Sequence, residues 1–209
     1  MDSTTEALTP KFTPIGFVLA IVGGAIAAGV TGYVYFLVAN KVGVDYIIAI
    51  AAILGAIVGA VVGLAARIGR LRMAIVAAAI AFVFGVGGYA ARYYFEFNDF
   101  VDTIIRDEAP AGMSPDVARE LLLESLAEEY PPGGLAGYLQ ILAEAGFSIG
   151  SRGSEDPDAP IKGTLAYGLL GIEALVAGVV AAGAARSILS KREVAPAPSG
   201  PAPTQPTGQ

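Results

Sequence analysis

Hydrophobic positions along this chain do not alternate with polar ones; they run together. Four stretches continue for about the 20 residues that a helix needs to cross a bilayer at 1.5 Å per residue. The first lies between Lys11 and Lys41 and is apolar from Ile15 to Ala39. The second, from Tyr46 to Ala66, is uncharged between Asp45 and Arg67. The third follows Arg72 and continues to Phe95, and the fourth runs from Gly163 to Ala185, broken only by Glu173. The pattern predicts an all-α protein, a four-transmembrane-helix bundle with spans over residues 15–39, 46–66, 72–95 and 162–186. The first apolar run exceeds the roughly 7–15 residues of a signal-peptide core, so it is read as an uncleaved anchor.

Small residues recur within these runs at helical spacing. Ala51, Gly55, Gly59 and Gly63 fall every four residues on one face of the second span. Shorter ridges occur at Ala77, Ala81 and Gly85, and at Ala174, Gly178 and Ala182. Lipid tails are as apolar as leucine, so membrane helices associate through close backbone contact and polar links rather than a hydrophobic drive. These positions are therefore expected to pack helices together, within one bundle or between subunits.

Residues 96–161, between the third and fourth spans, have a different composition. Ser114 followed by Pro115 and Asp116 is the start signal of a helix, with Ser114 as N-cap. On that helix Val117, Leu121, Leu122 and Leu126 are expected to share a face, and Pro131 to end it. A second short helix is expected from Leu135 to Ala145, stopped by Gly146. Both lack a core of their own and need a membrane surface, the bundle end or a partner to cover them. "FSIGSRG" suits a short extended piece. "SEDPD" lacks the ligand spacing and glycine turn of a calcium loop and reads as a solvated acidic turn. The last residues, "VAPAPSGPAPTQPTGQ", cannot form a core, and 187–209 is expected to be a disordered tail.

Charge then gives these pieces an orientation. Between Glu96 and Ile161 there are 14 acidic and three basic residues, whereas Lys11, Arg67, Arg70, Arg72, Arg186, Lys191 and Arg192 flank the spans at the other end. Basic flanks stay cytoplasmic. Residues 1–14 and the tail are therefore expected in the cytoplasm and the acidic loop outside, in a bacterial inner membrane. An acidic middle disfavours nucleic acid as a partner. The chain has no cysteine and no histidine, which removes thiol nucleophiles, the commonest metal ligand and the commonest general base. No cofactor, no metal site and no catalytic residue is expected.

The stretches "GAIVGAVVGLAARIGRLRMAIVAAAIAF", "YLQILAEAGFSIGSRG" and "GLLGIEALVAG" resemble an arrangement found in uncharacterised bacterial polytopic membrane proteins. There a glycine-rich hairpin turns through a basic loop, followed by an outer segment and a final span containing "IE". The resemblance covers most of residues 45–185 and implies a topology, with no activity to transfer.

The residue that stands out is Glu173, at about the middle of the fourth span, where an ionised carboxylate costs roughly 2.5–3.5 kcal/mol on insertion scales. Thr31, near the midplane of the first span, Tyr33, slightly further outward, or a backbone carbonyl is the expected hydrogen-bonding partner, because Arg92 and Lys162 lie nearer the boundary. Three roles stay open for Glu173: a polar tie within the bundle, a contact to another membrane subunit, or a proton or cation relay. The favoured function is a non-catalytic interaction or assembly role beside the lipid bilayer, with other membrane subunits or a second copy as partner. The alternative is a small transporter or channel component using Glu173.

Overall fold

The computed structural model describes residues 13–42, 47–71, 73–146 and 161–190 of the 209-residue chain. The N-terminal dozen residues, "FSIGSRG", "SEDPD" and the proline-rich tail after Ser190 lie outside the described residues. Among the described residues the regular elements are six α-helices: α1 (Pro14–Val42), α2 (Ile47–Ile68), α3 (Ala74–Glu108), α4 (Pro115–Glu129), α5 (Gly134–Ala145) and α6 (Thr164–Ser190). Of these, α1, α2, α3 and α6 are long and apolar enough to cross a membrane.

In the bundle α2 and α3 pack on each other, and both touch α1 and α6, whereas among the described residues α1 and α6 do not meet. The seam between α2 and α6 is built from small residues in register. Gly55 lies on Ala177, Gly59 on Ala181 and Gly63 on Ala185, so the two helices run parallel with their backbones in contact. A Cβ at Gly55 or Gly59 would collide with the carbonyl of the facing alanine. The α2 ridge is thus occupied within the chain. Its partner row is Ala177, Ala181 and Ala185 rather than Ala174, Gly178 and Ala182. Gly178 faces Phe82 and Val86 of α3 instead, one step around the helix.

The turn between α2 and α3 closes the far end. Leu71 N–H donates to Ala66 carbonyl at 2.8 Å and Arg70 N–H to Arg67 carbonyl at 3.1 Å, the two-bond ending known as a Schellman motif. Arg70 holds the left-handed position of that motif, with φ of 59°, where glycine is usual. Gly69 presses on Gly16, and Thr13 Oγ1 donates to the Gly69 carbonyl at 2.9 Å, which ties the turn to the start of α1. Beside it lies an uncharged core that includes Val58, Val62, Ala66, Leu71, Ala77, Ala81, Ala181 and Ala185.

The opposite end carries a cap. Residues 96–108 read from sequence as the start of the loop, yet α3 runs through them without a break to Glu108. No proline or glycine occurs from Glu96 to Ala109, and Phe97 and Val101 repeat at helical spacing to bury against Leu126 and Tyr138. The 35-residue α3 is about 52 Å long, some 20 Å more than the roughly 30 Å hydrocarbon layer. The two predicted loop helices dock on that projecting end. Ser114 accepts from Val117 N–H at 3.4 Å as N-cap of α4, and Gly146 follows the end of α5. The packed face of α4 differs from expectation: Ala118 and Leu126 are buried, whereas Val117 and Leu121 are 48% and 50% exposed. The face turned to the cap core carries Leu122, Leu123 and Leu126, packed with Phe97, Val101 and Tyr138, and Arg119 beside it donates to Asp102 of α3 at 2.9 Å and Asn98 at 2.6 Å.

The α2–α6 register yields a paired expectation. Gly59→Leu should lower stability by about 1–3 kcal/mol, the usual range for overpacking, because the nearest obstacle is backbone. Gly29→Ala, at a position with open space around it, should instead gain up to about 1 kcal/mol from helix propensity. Unfolding of the purified protein by SDS in mixed micelles, followed by circular dichroism, measures both.

Candidate functional site

The α2–α6 register delivers Glu173. It stands four residues before Ala177, so it extends the row that faces α2, and Ala51 is the matching position on that helix. Ala51 and Glu173 are both fully buried. Glu173 is the tenth residue of the 27-residue α6, about 13 Å along the helix at 1.5 Å per residue, in the half of the helix nearer the cap.

A hydrogen bond reaches it from α3. Tyr89 donates its hydroxyl proton to Glu173 Oε2. The Tyr89 and Tyr93 hydroxyls lie 3.1 Å apart, and since the Tyr89 proton points to the carboxylate, Tyr93 donates to Tyr89. The two rings meet edge to face at 5.4 Å. Antiparallel packing of α3 against α6 explains the geometry, because Gly85 sits on the Ala177 and Ala181 level and Tyr89 rises one turn above it.

The expected partners Thr31 and Tyr33 do other things. Thr31 is buried, but its hydroxyl donates to the Ala27 carbonyl of its own helix at 2.6 Å. Tyr33 is 47% exposed on the flank of the bundle and stacks edge-on against Phe95 at 5.2 Å. With Phe36 and Tyr94 it forms an aromatic group suited to a membrane–water boundary. Neither can replace Tyr89, because among the described residues α1 and α6 do not touch.

One turn beyond Tyr89 sits a charge that sequence reasoning placed at the boundary. The Arg92 side chain is only 8% exposed. It donates to the Tyr35 hydroxyl at 2.6 Å, and its guanidinium carbon lies 4.2 Å from the Tyr35 ring centre and 5.0 Å from that of Tyr93. Such stacking offsets part of the desolvation of a buried guanidinium. Glu96, at 3.7 Å from Arg92 Nε, is 27% exposed and marks the way to water. Tyr138 of α5 donates to Glu96. Burial first, and the Glu96 carboxylate second, push the Tyr138 phenol well above the ordinary tyrosine range. Leu135, Leu139 and Leu142 of α5, with Leu170, cover the Tyr89 and Tyr93 pair.

The site is therefore a buried polar column. It begins at Glu173, passes through Tyr89 and Tyr93, and ends beside Arg92, Tyr35 and Glu96 under the cap. Of these, sequence reasoning singled out Glu173. A signal for the others was present: Tyr89 and Tyr93 are spaced four apart, and Arg92 interrupts an apolar run. No known protein family, curated protein or solved structure matches the chain, so the function rests on this geometry.

Two outcomes follow. Tyr89→Phe removes the donor to Glu173 and should cost about 1–3 kcal/mol, the range for losing a buried partner of a polar group; SDS unfolding against wild type measures the loss. For Tyr138, the raised folded-state value means the neutral phenol stabilises the docked cap below pH about 10, the ordinary tyrosine pKa. That contribution is lost as the pH rises above it. Alkaline titration should therefore loosen the cap, seen as faster proteolysis between α4 and α5, and Tyr138→Phe should weaken the pH dependence.

Proposed function

We propose that this is a non-catalytic integral membrane protein with an interaction or assembly role, an accessory subunit that holds an acidic helical cap outside the bilayer. The observation that carries this reading is the outer face of α4. Val117 and Leu121 stay half exposed among Asp116, Glu120 and Glu124, while Arg119 fixes the helix to α3. A stalk made of one unbroken helix presents that face at a constant height above the lipid. The partner is another membrane subunit or a second copy, meeting an apolar pair rimmed by carboxylates. Arg67 and Arg70 at the uncapped end support an orientation with both termini in the cytoplasm of a bacterial inner membrane and the cap outside.

The buried polar column favours a second reading, a transporter or channel component using Glu173. Against it stand unbroken helices and the uncharged packing of Val58, Val62, Ala77 and Ala81 on the uncapped side, which offer no route through.

The test is co-purification from the native membrane in a gentle detergent, comparing wild type with Val117→Asn/Leu121→Asn and with Glu173→Leu. Retention of a stoichiometric membrane partner, or of a homo-oligomer, by wild type and its loss in the double variant is the expected result. A monomer alone for every form sinks the assembly reading.

A further inference from the structure

We propose that Glu173 is a proton-binding site open to one face of the membrane only, the capped one, through the hydroxyls of Tyr89 and Tyr93. The inference does not depend on the assembly role. It stands on the asymmetry of what surrounds the carboxylate.

Toward the cap, oxygen atoms follow one another. Glu173 accepts from Tyr89, Tyr89 accepts from Tyr93, and Tyr93 lies beneath Arg92. Arg92 in turn faces Glu96, whose partly exposed carboxylate borders the aqueous cap. Toward the other end, none of the buried positions that follow Glu173 on its face (Ala177, Ala181 and Ala185) carries a group able to pass a proton. The helices around them are equally bare: α2 has no titratable residue before Arg67, and α3 contributes Ala77, Ala81 and Gly85 there.

The titratable groups facing the site can be named element by element. From α3 they are Tyr89 and Tyr93, with Arg92 and Glu96 one turn further out. From α5 there is Tyr138, bonded to Glu96, and from α1 there is Tyr35, held by Arg92. Among the described residues, Tyr89 is level with Glu173 and the others lie on its cap side.

The transfer is balanced. As the ionised Glu173 takes the Tyr89 proton, Tyr89 takes the Tyr93 proton, and Tyr93 is reprotonated from water at the capped end. One proton leaves that water and one carboxylate becomes a carboxylic acid. The guanidinium over Tyr93 faces the ring that would bear negative charge during the exchange, and a concerted transfer keeps that charge brief. Because α2 before Arg67, α3 from Ala74 to Gly85 and α6 from Ala174 to Ala185 carry no titratable side chain, no such chain runs the other way among the described residues, so the site loads and unloads from the capped face and carries no net current. Leu135, Leu139 and Leu142 of α5 seal its mouth, so the docked cap sets how fast water reaches Tyr93.

The experiment uses the full chain in proteoliposomes sorted by sidedness, with infrared difference spectra recorded after a pH jump in the outer buffer. The carboxylic-acid carbonyl band assigned to this residue by its loss in Glu173→Gln is followed. The expected result is a band that responds when the capped end faces the jump and stays silent when the other end does. Its exchange should slow by about a hundredfold in Tyr93→Phe, the lower end of what a positioned proton-transfer group contributes. Leu139→Ala should speed it. Tyr93→Phe leaves the direct partner of Glu173 in place, so it reports on the relay even where Tyr89→Phe does not fold. An equal response from both faces, a band that never titrates, or a wild-type exchange rate in Tyr93→Phe overturns the proposal.

Discussion

Helices in lipid gain little by hiding leucine from leucine, so this bundle depends on how closely two backbones can approach. The α2–α6 seam supplies that approach. Gly55, Gly59 and Gly63 meet Ala177, Ala181 and Ala185, two rows that both repeat every four residues. A shift by one residue would bring a side chain onto a carbonyl, so the seam fixes translation and rotation together. The buried carboxylate inherits its position from that register. Glu173 is the next member of the alanine row, and it sits where α2 offers only Ala51. The carboxylate therefore points into the bundle at a level where α3 brings Tyr89.

The same constraint divides the bundle into unlike halves. Where both rows are small, packing is dry and uncharged. Where the alanine row gives way to Glu173, α3 changes from Ala77, Ala81 and Gly85 to Tyr89, Arg92 and Tyr93 along one buried face. Small residues on the first half let helices touch. Aromatic residues on the second half fill the wider space and bring hydroxyls with them. A buried guanidinium is tolerated there because two tyrosine rings and a carboxylate surround it. The bundle is thus tight at one end and polar at the other, and the cap lies over the polar end.

Much of the fold was legible because length and polarity of the apolar runs decide it. The four long apolar helices, the Ser114 cap of α4 and the short α5 all follow from local rules. The extent of α3 was not legible in the same way. Its residues after Phe95 are charged enough to look like loop, and only docking with Leu126 and Tyr138 explains why the helix persists. The face of α4 differs for a related reason: Val117 and Leu121 satisfy helical periodicity, but it is Leu122, Leu123 and Leu126 that meet Phe97, Val101 and Tyr138 on the projecting end of α3 and on α5. For the site, the sequence identified the acid and missed its base of support. Depth counted along single helices brought Thr31 level with Glu173, and depth says nothing about which helices touch. Tyr89 became visible only once α3, and not α1, was seen against α6.

That difference changes what Glu173 can be. Bonded to Thr31, it would have been an isolated tie between two helices, with no route to water and no reason to exchange a proton. Bonded to Tyr89, it becomes the inner end of a series of hydroxyls aligned along one helix face, because residues four apart on α3 stack toward the cap. The number of ionisable groups at depth matters less than their continuity. A single carboxylate with two ordered hydroxyls has a directed connection to one aqueous phase, whereas a larger scatter of charges need not. In the proposed assembly role, the cap that closes this connection is also the surface offered to a partner. Any contact that shifts α5 on Leu135, Leu139 or Leu142 therefore alters access to Glu173 without touching it, and a partner bound at α4 and a proton bound at Glu173 would each bias the other through the docking of the cap.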